Sequence, residues 1–298
     1  MHKAPVIVIG SSNTDMVIKT AHLPLPGETI LGGTFFMNAG GKGANQAVAA
    51  ARLGGAVTFI AKLGDDIFGR EALQLFKKEG IDTDCIVVDA QHPSGVALIT
   101  VDDKGENCIA VASGANAQLL PADAARAKDK IAAASIMLAQ LEIPVETVAW
   151  AAAEASAAGV PVILNPAPAC TLPDELYKHL YIITSNETEA EILTGIKVTD
   201  VATAAAAVLR GKGVKTVIVT LGAKGALVVA GGLQQLVEAP VVKAVDTTAA
   251  GDVFNGALAV ALAEGEDILT AVVFACRAAS ISVTRLGAQA SAPLRSEV

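Results

Sequence analysis

The run Val6-Ile-Val-Ile-Gly10 reads as a buried strand, and it opens a series. Short β-branched runs recur at 57–63, 135–140, 160–165, 181–185 and 216–221. Ala-rich stretches of helical character follow most of them, around 42–53, 66–79, 122–134, 145–158, 187–194 and 201–211. Two further helices, 250–263 and 267–284, run nearly end to end. Such alternation is the pattern of a parallel sheet covered by helices, so the expected fold class is α/β. A chain of 298 residues is long for one domain but suits one large α/β layer with a small appendage. No clean linker, internal repeat or low-complexity tail divides it.

Two regions break the alternation. Residues 15–19 and 29–36 read as strands without an intervening helix, and 96–101 with 106–112 reads as a hairpin around Asp102-Asp-Lys-Gly-Glu106. Together they predict a small β-layer built from two noncontiguous insertions. Beside the carboxyl ends of parallel strands, where ligands of open α/β folds bind, such a flap would form a lid.

Composition narrows the function. Hydrophobic residues make up 52% of the chain and aromatic ones only 3%, which predicts an aliphatic core of helices on β-branched strands. The net charge of −8 and the lack of a Lys/Arg cluster disfavour a nucleic-acid partner. Cys85, Cys108, Cys170 and Cys276 are widely spaced, with no zinc-binding spacing, and are expected to be free thiols in a reducing cytoplasm. Met1-His-Lys leads straight into the first strand, which leaves no room for a signal-peptide core. No apolar run reaches about 18 residues, so no membrane span is expected. The histidines, His2, His22, His92 and His179, are scattered and fall in no recognisable constellation.

Chemistry concentrates at Asp246-Thr-Thr-Ala-Ala-Gly-Asp252-Val-Phe-Asn-Gly256, where small residues lead from a loop into an apolar helix. Ala249, Ala250 and Gly251 carry no bulk to keep backbone N–H groups from an anion, and a helix starting there would aim free amides at a phosphate. A carboxylate beside bound phosphate is repelled unless the chemistry needs it, which makes Asp252 a candidate base. Alternatively Asp246, Thr247 or Thr248 is an N-cap and the small residues serve close packing.

Asn38-Ala-Gly40-Gly41-Lys42-Gly43-Ala-Asn45 leads into an Ala-rich helix. Its glycines allow backbone to approach a ligand, and Lys42 and Asn45 offer groups that hold hydroxyls. It completes neither a Walker A loop nor GxGxxG, since Gln46 holds the last glycine position, and it also reads as a plain turn before a packed helix. Ser11-Ser-Asn13-Thr-Asp15 and Glu142 follow strands and so fall at carboxyl ends. Converging carboxylates there suit a polyhydroxylated substrate, although Asp15 could cap a turn and Glu142 could be a solvated strand end. Asn186-Glu-Thr-Glu189 reads as a capping box or as oxygens that order Mg²⁺ near phosphates. Thr220-Leu-Gly222-Ala-Lys224-Gly225 supplies small residues beside which a nucleotide could lie, with Lys224 near phosphate or simply exposed.

Taken in order, Asn13-Thr-Asp15, Gly40-Gly-Lys-Gly-Ala-Asn45, Asn186-Glu-Thr-Glu189 and Asp246–Asp252 resemble the ribokinase, or PfkB, family of carbohydrate kinases, over nearly the whole chain. The resemblance implies a Rossmann-like three-layer α/β/α fold with a small β-sheet lid that pairs with a second subunit's lid in a homodimer. It implies ATP as phosphoryl donor, O5 of D-ribose as acceptor, and Mg²⁺ and K⁺ as cofactors. Asn13, Asp15, Gly41, Lys42, Asn45 and Glu142 match the sugar-binding set, with Asp252 as base. Asn186, Glu189, the 220–225 loop and Gly251 match the nucleotide side. Asp246, Thr248, Ser282, Arg285, Gly287 and Ser291 match a monovalent-cation site, several through backbone oxygens. Cys276 departs from the family, which often has His there. In this setting nearby amides and the helix dipole are expected to keep Asp252 ionised and a weak base.

Three other readings compete. A kinase of the same family could act on deoxyribose, fructose, a keto-sugar acid or a nucleoside. A protein that kept the fold and lost catalysis could bind sugar alone. A dehydrogenase is disfavoured because no dinucleotide fingerprint follows a strand.

Overall fold

A computed structural model describes residues 4–196 and 202–298. The chain forms β1 (Pro5–Ile9), β2 (Asn13–Lys19), β3 (Thr34–Gly40), α1 (Lys42–Arg52), β4 (Ala56–Gly64), α2 (Ile67–Lys78), β5 (Ile86–Asp89), β6 (Gly95–Val101) and β7 (Asn107–Ala112). It continues with α3 (Pro121–Ala124), α4 (Lys128–Ala132), β8 (Ile136–Ala139), α5 (Val145–Ala157), β9 (Val162–Leu164), α6 (Asp174–Lys178), β10 (Ile182–Asn186) and α7 (Glu187–Thr194). The last elements are α8 (Ala202–Gly211), β11 (Thr216–Thr220), β12 (Ala226–Ala230), β13 (Leu233–Val237), α9 (Ala250–Ala263) and α10 (Ile268–Ser282). Val201, the expected start of α8, lies outside the described residues, as does His2.

Nine strands form one sheet in the order β13-β12-β11-β10-β9-β8-β1-β4-β5. All neighbours from β11 to β5 are parallel, and β12 and β13 add an antiparallel edge. Alternate residues of β1 serve opposite cores. Val6 and Val8 face the layer of α1, α9 and α10, whereas Ile7 and Ile9 face that of α3, α4 and α5. All four are buried, and each such aliphatic side chain contributes about 1.5–3 kcal/mol relative to exposure. This is the expected three-layer α/β/α arrangement.

The second sheet has four strands in the order β3-β2-β6-β7. Asp15 stands opposite Asn38 on one side and Ala97 on the other. Phe35, Met37, Leu98, Ile109 and Val111 of this sheet are exposed.

Several expected elements move. The strand placed at 29–36 runs instead over Thr34–Gly40, because Asn38-Ala-Gly40 pairs with Asn13-Thr-Asp15 and does not begin a turn. The single helix placed at 122–134 is two short helices joined by a 3₁₀ turn at Ala125–Ala127. Strands β5, β12 and β13 and helix α6 were not anticipated.

Candidate active site

A groove runs along the carboxyl ends of the central parallel strands. Its two chambers share Asn186, Thr220, Thr247, Ala250 and Gly251. One is polar and lined by Lys42, Asn165, Thr184, Glu189, Asp252 and Asn255. The other, about 430 Å³, is walled by Ala239, Pro240, Val241, Val242, Phe254 and Val283 and is large enough for a small ligand. Phosphate chemistry fits the first chamber, and a flat apolar ring fits the second.

The helix α9 projects its first turn into the join between them. Its N-cap is Ala249, at φ 59°, the one non-glycine residue in the left-handed region among the described residues. Neither Asp246 nor Thr247 nor Thr248 caps it, so the capping alternative fails. The Ala250 N–H donates to Thr247 O at 3.3 Å, while the Gly251 amide has no intrahelical acceptor and remains available to an anion.

Asp252 is buried in that first turn, and both of its oxygens are held. Asn45 Nδ2 donates to Oδ2 at 2.9 Å and Gln46 Nε2 donates to Oδ1 at 2.9 Å. Burial opposes the ease of ionisation expected from the amides and the dipole. Burial pushes the Asp252 carboxyl up and outweighs the Lys42 charge and the two amide bonds that favour the anion.

The sugar-side residues gather around the same carboxylate. Glu142 is no solvated strand end: its Oε2 accepts from Ser11 Oγ at 2.5 Å and from the Lys42 backbone N–H at 2.9 Å. Asn13 begins β2, and its Oδ1 accepts from Asn116 Nδ2 at 2.8 Å. With Glu142 it lines a cavity beneath Val111 and Ser113. Asp15 caps no turn. Among the described residues no protein donor reaches its carboxylate, which burial first, then the charges of Glu142 and Asp252, push up to about 6. Asn45 Oδ1 is buried without a partner. A carboxylate and a carbonyl oxygen awaiting donors are what a ligand rich in hydroxyls would satisfy.

The glycines of the motif have divided duties. Gly41 is the N-cap of α1 at φ 88°, with the Asn13 amide nitrogen 2.6 Å from where its Cβ would stand. Gly43 packs against the backbone of Gly10 and Ser11 and meets no ligand space.

On the nucleotide side, Asn186 and Glu189 form a complete capping box, with Asn186 Oδ1 accepting from Glu189 N and Glu189 Oε2 from Asn186 N. Both also line the polar chamber. Burial, opposed by the Asn186 amide and Lys42, raises the Glu189 carboxyl. Thr220, Gly222 and Gly225 line the apolar chamber. Lys224 is exposed and outside that lining. Cys276 lines it as well, its thiol pushed up to about 11 by burial.

Asp246 ties the loop before α9 to the C-terminal segment: its carboxylate accepts from Thr248 N and Gly287 N, both at 2.9 Å. Burial raises this carboxyl, and those hydrogen bonds outweigh it, so the group lies below its ordinary range. Ser282 Oγ donates to Ala279 O and Ser291 Oγ to Ala288 O. The Arg285 guanidinium is engaged by Glu297, which leaves Arg285 only its carbonyl to offer a cation.

Sequence reading missed Asn165, Thr184 and Asn255, which line the polar chamber, and Gln46 and Gln140, which lie behind Asp252 and Asn165. Thr184 Oγ1 donates to Asn255 Oδ1 at 2.5 Å, and Asn255 Nδ2 donates to Gly251 O at 2.8 Å. Four of these are amides at strand ends or on helices and Thr184 is a hydroxyl within β10, a weak signal that marks a site only once the sheet order is known.

Comparison with known proteins agrees with this geometry. Residues 3–295 match the family described as pfkB family carbohydrate kinase. The chain is 48% identical to a ribokinase of Haemophilus influenzae over 97% of its own length and 95% of the relative's. It is 40% identical to a deoxyribokinase of Salmonella typhi over 97% and 95%. It superposes with a TM-score of 0.93 on an Arabidopsis thaliana ribokinase complexed with ribose and ATP, at 34% identity over 99% of this chain and 97% of that one.

Proposed function

The chain belongs to the pfkB family of carbohydrate kinases, and on that premise we propose that it transfers the γ-phosphoryl group of ATP to O5 of D-ribose. The observation that carries this reading is Asp252: a buried carboxylate, fixed at both oxygens, in the first turn of a helix whose free amides face the groove.

The geometry supports the following roles. Ribose binds where Asp15, Asn13, Glu142, Lys42, Gly41 and Asn45 converge, and its hydroxyls donate to the Asp15 carboxylate and to Asn45 Oδ1. O5 attacks the γ-phosphorus, the bond from that phosphorus to the β,γ-bridging oxygen breaks, and the O5 proton passes to Asp252. ADP leaves with the bridging oxygen. Phosphoryl transfer of this kind relies on alignment and charge neutralisation, which the amides of Ala249 and Gly251 and the Lys42 ammonium supply. Because burial raises the Asp252 carboxyl, accepting the proton is less unfavourable than for an exposed aspartate. The apolar chamber takes the base, and Asn186, Thr220, Gly222 and Gly225 flank the nucleotide.

Both implied cations are compatible with the residues present. No cluster of three His, Cys, Asp or Glu occurs among the described residues. That suits Mg²⁺, which keeps its waters and binds through phosphates with few protein oxygens; Glu189 and Asn186 would order that hydrated ion, and it would neutralise phosphate charge. The ionised Asp246 carboxylate, with the carbonyls and hydroxyls of 282–291, offers the all-oxygen surroundings that K⁺ takes. The exposed apolar side chains of the four-stranded sheet, Phe35, Met37, Leu98, Ile109 and Val111, support a homodimer that covers the lid.

The test is a coupled ADP assay with ribose and about ten other sugars in potassium buffer. Ribose-dependent ADP release ahead of every other sugar is expected. Its absence with all sugars would leave only a binding protein.

A further inference from the structure

Beneath the candidate base lies a chain of buried amides that the reaction scheme above does not use. Gln46 is fully buried on α1, next to Asn45. Its Nε2 donates to Asp252 Oδ1 at 2.9 Å and to Asn165 Oδ1 at 3.1 Å, while its Oε1 accepts from Gln140 Nε2 at 2.5 Å. Asn165 Nδ2 in turn donates to the backbone carbonyl of Thr184 at 3.1 Å.

We propose that Gln46 is a positioning residue, which fixes the Asp252 carboxylate so that its unoccupied lone pairs, and hence the proton it takes up, face the groove. The proposal rests on Asp252 being the base.

The direction of the network is determined by two groups that can only accept. A backbone carbonyl at Thr184 requires the NH₂ end of Asn165, which turns Asn165 Oδ1 toward Gln46 and demands a donor there. The ionised Asp252 Oδ1 demands a donor from the same side. Only the NH₂ of Gln46 meets both, and its two hydrogens are then fully used. Reversing Gln46 would set its carbonyl oxygen against two other oxygens in a site without water access, which costs the desolvation of all three.

The rest of the fold protects that orientation. Gly10, at the end of β1, leaves room for Gln140 Oε1 where any Cβ would collide with it. Gly256 lets α9 approach α1 so closely that a Cβ there would stand 2.8 Å from Gln46 O and Ala49 Cβ. The spacing of Gln46 and Asp252 is thus set by backbone contact between two helices.

With Asn45 on Oδ2 and Gln46 on Oδ1, each carboxylate oxygen has one lone pair occupied by a donor that cannot be displaced sideways. A proton arriving from a bound hydroxyl must settle on the remaining lone pairs. The charged and titratable groups that face Asp252 are Lys42 on α1, Glu142 after β8 and Asp15 on β2. Lys42 lines the polar chamber and Glu142 the cavity beside Asn13, whereas the Gln46 side presents neutral amides only.

The test compares Gln46→Leu, Gln46→Glu and Asp252→Asn, measuring kcat, KM for ribose and the pH profile of kcat/KM. Gln46→Leu should lower kcat ten- to a hundredfold and leave KM for ribose within about threefold. Gln46→Glu places a carboxylate against Asp252 and should move the acidic limb of the profile up by at least about one pH unit. Gln140→Met, which touches no reacting group, should lower kcat about three- to tenfold and so reports on the relay even if changes at Gln46 prevent folding. Unaltered kcat and an unmoved acidic limb in the folded variants, with Asp252→Asn inactive, would overturn the role of Gln46 alone. An active Asp252→Asn would instead overturn the assignment of the base.

Discussion

The carboxylate of Asp15 occupies the space that a side chain at Gly40 would need. The two residues face each other diagonally across the β2–β3 pair, where Asn13 is opposite Gly40 and Asp15 opposite Asn38. A methyl at position 40 therefore leaves the strand pairing intact and turns the carboxylate away. Gly40→Ala should raise KM for ribose at least about tenfold, with a change in Tm small beside that loss. Unchanged ribose KM in a folded variant would show that Asp15 does not contact the sugar.

Asp252→Asn should bind ribose nearly as the parent does and lose about 10²–10⁴ in kcat, equivalent to about 3–5 kcal/mol, because base and orientation vanish together. Calorimetric binding of ribose beside the ADP assay separates the two effects. Retention of more than about a third of kcat would remove Asp252 from the mechanism.

Asp15 also gives stability a pH dependence of definite sign. Its carboxyl rises from an ordinary 3.8 to about 6 in the fold, through burial first and then the charges of Glu142 and Asp252. The native state thus holds this proton more tightly than the unfolded chain does. The resulting penalty is absent below pH 3.8, grows between 3.8 and 6, and is complete above 6. Asp15→Asn should accordingly melt above the wild type at pH 8, with the advantage shrinking toward pH 5, while it binds ribose less well. A Tm difference constant from pH 5 to 8 would rule out this titration.

Ribose should exceed 2-deoxyribose in kcat/KM by at least about tenfold, since a missing hydroxyl leaves a buried acceptor at Asp15 unsatisfied. In Asp15→Ala the preference should narrow as ribose turnover weakens. Equal use of both sugars by the wild type would make 2-deoxyribose an equally good substrate assignment.

Rates should be higher in K⁺ than in Na⁺ at matched ionic strength, and Asp246→Ala should abolish the difference, because Asp246 links the loop before α9 to Gly287. Identical rates of the wild type in both salts would remove the cation from this loop.

The parallel strands were legible because burial on both faces leaves near-continuous apolar runs, as in Val6-Ile-Val-Ile. The β12–β13 hairpin was not. Its outer strand carries exposed Gln234 and Gln235, although Gly231-Gly232 between the two runs is a hairpin signal. In β3, Gly40-Gly41 suggested a turn, but the strand extends to Gly40 and only Gly41 leaves it. Of the site, Asp252 was legible from its loop, whereas Gln46, 206 positions earlier, gains its meaning from the packing of α1 on α9. The opposing effect of burial on Asp252 was not legible, because dipole and amides can be read from a loop, while the depth of burial cannot.

Only Gly10-Ser11-Ser12 separates β1 from β2, so Asn13 and Asp15 stand on a strand anchored in the main sheet at one end and built into the four-stranded sheet along its length. On the roles proposed for Asn13 and Asp15, recognition of the acceptor and coverage of the groove would be vested in one piece of backbone. A sugar that failed to engage Asp15 would then forfeit more than a contact, because the same strand carries the sheet proposed to cover the groove. Water, the rival acceptor, then competes for the same phosphoryl group. In such an enzyme fidelity toward the sugar and economy of ATP are a single property, and a variant that loosens one should leak the other.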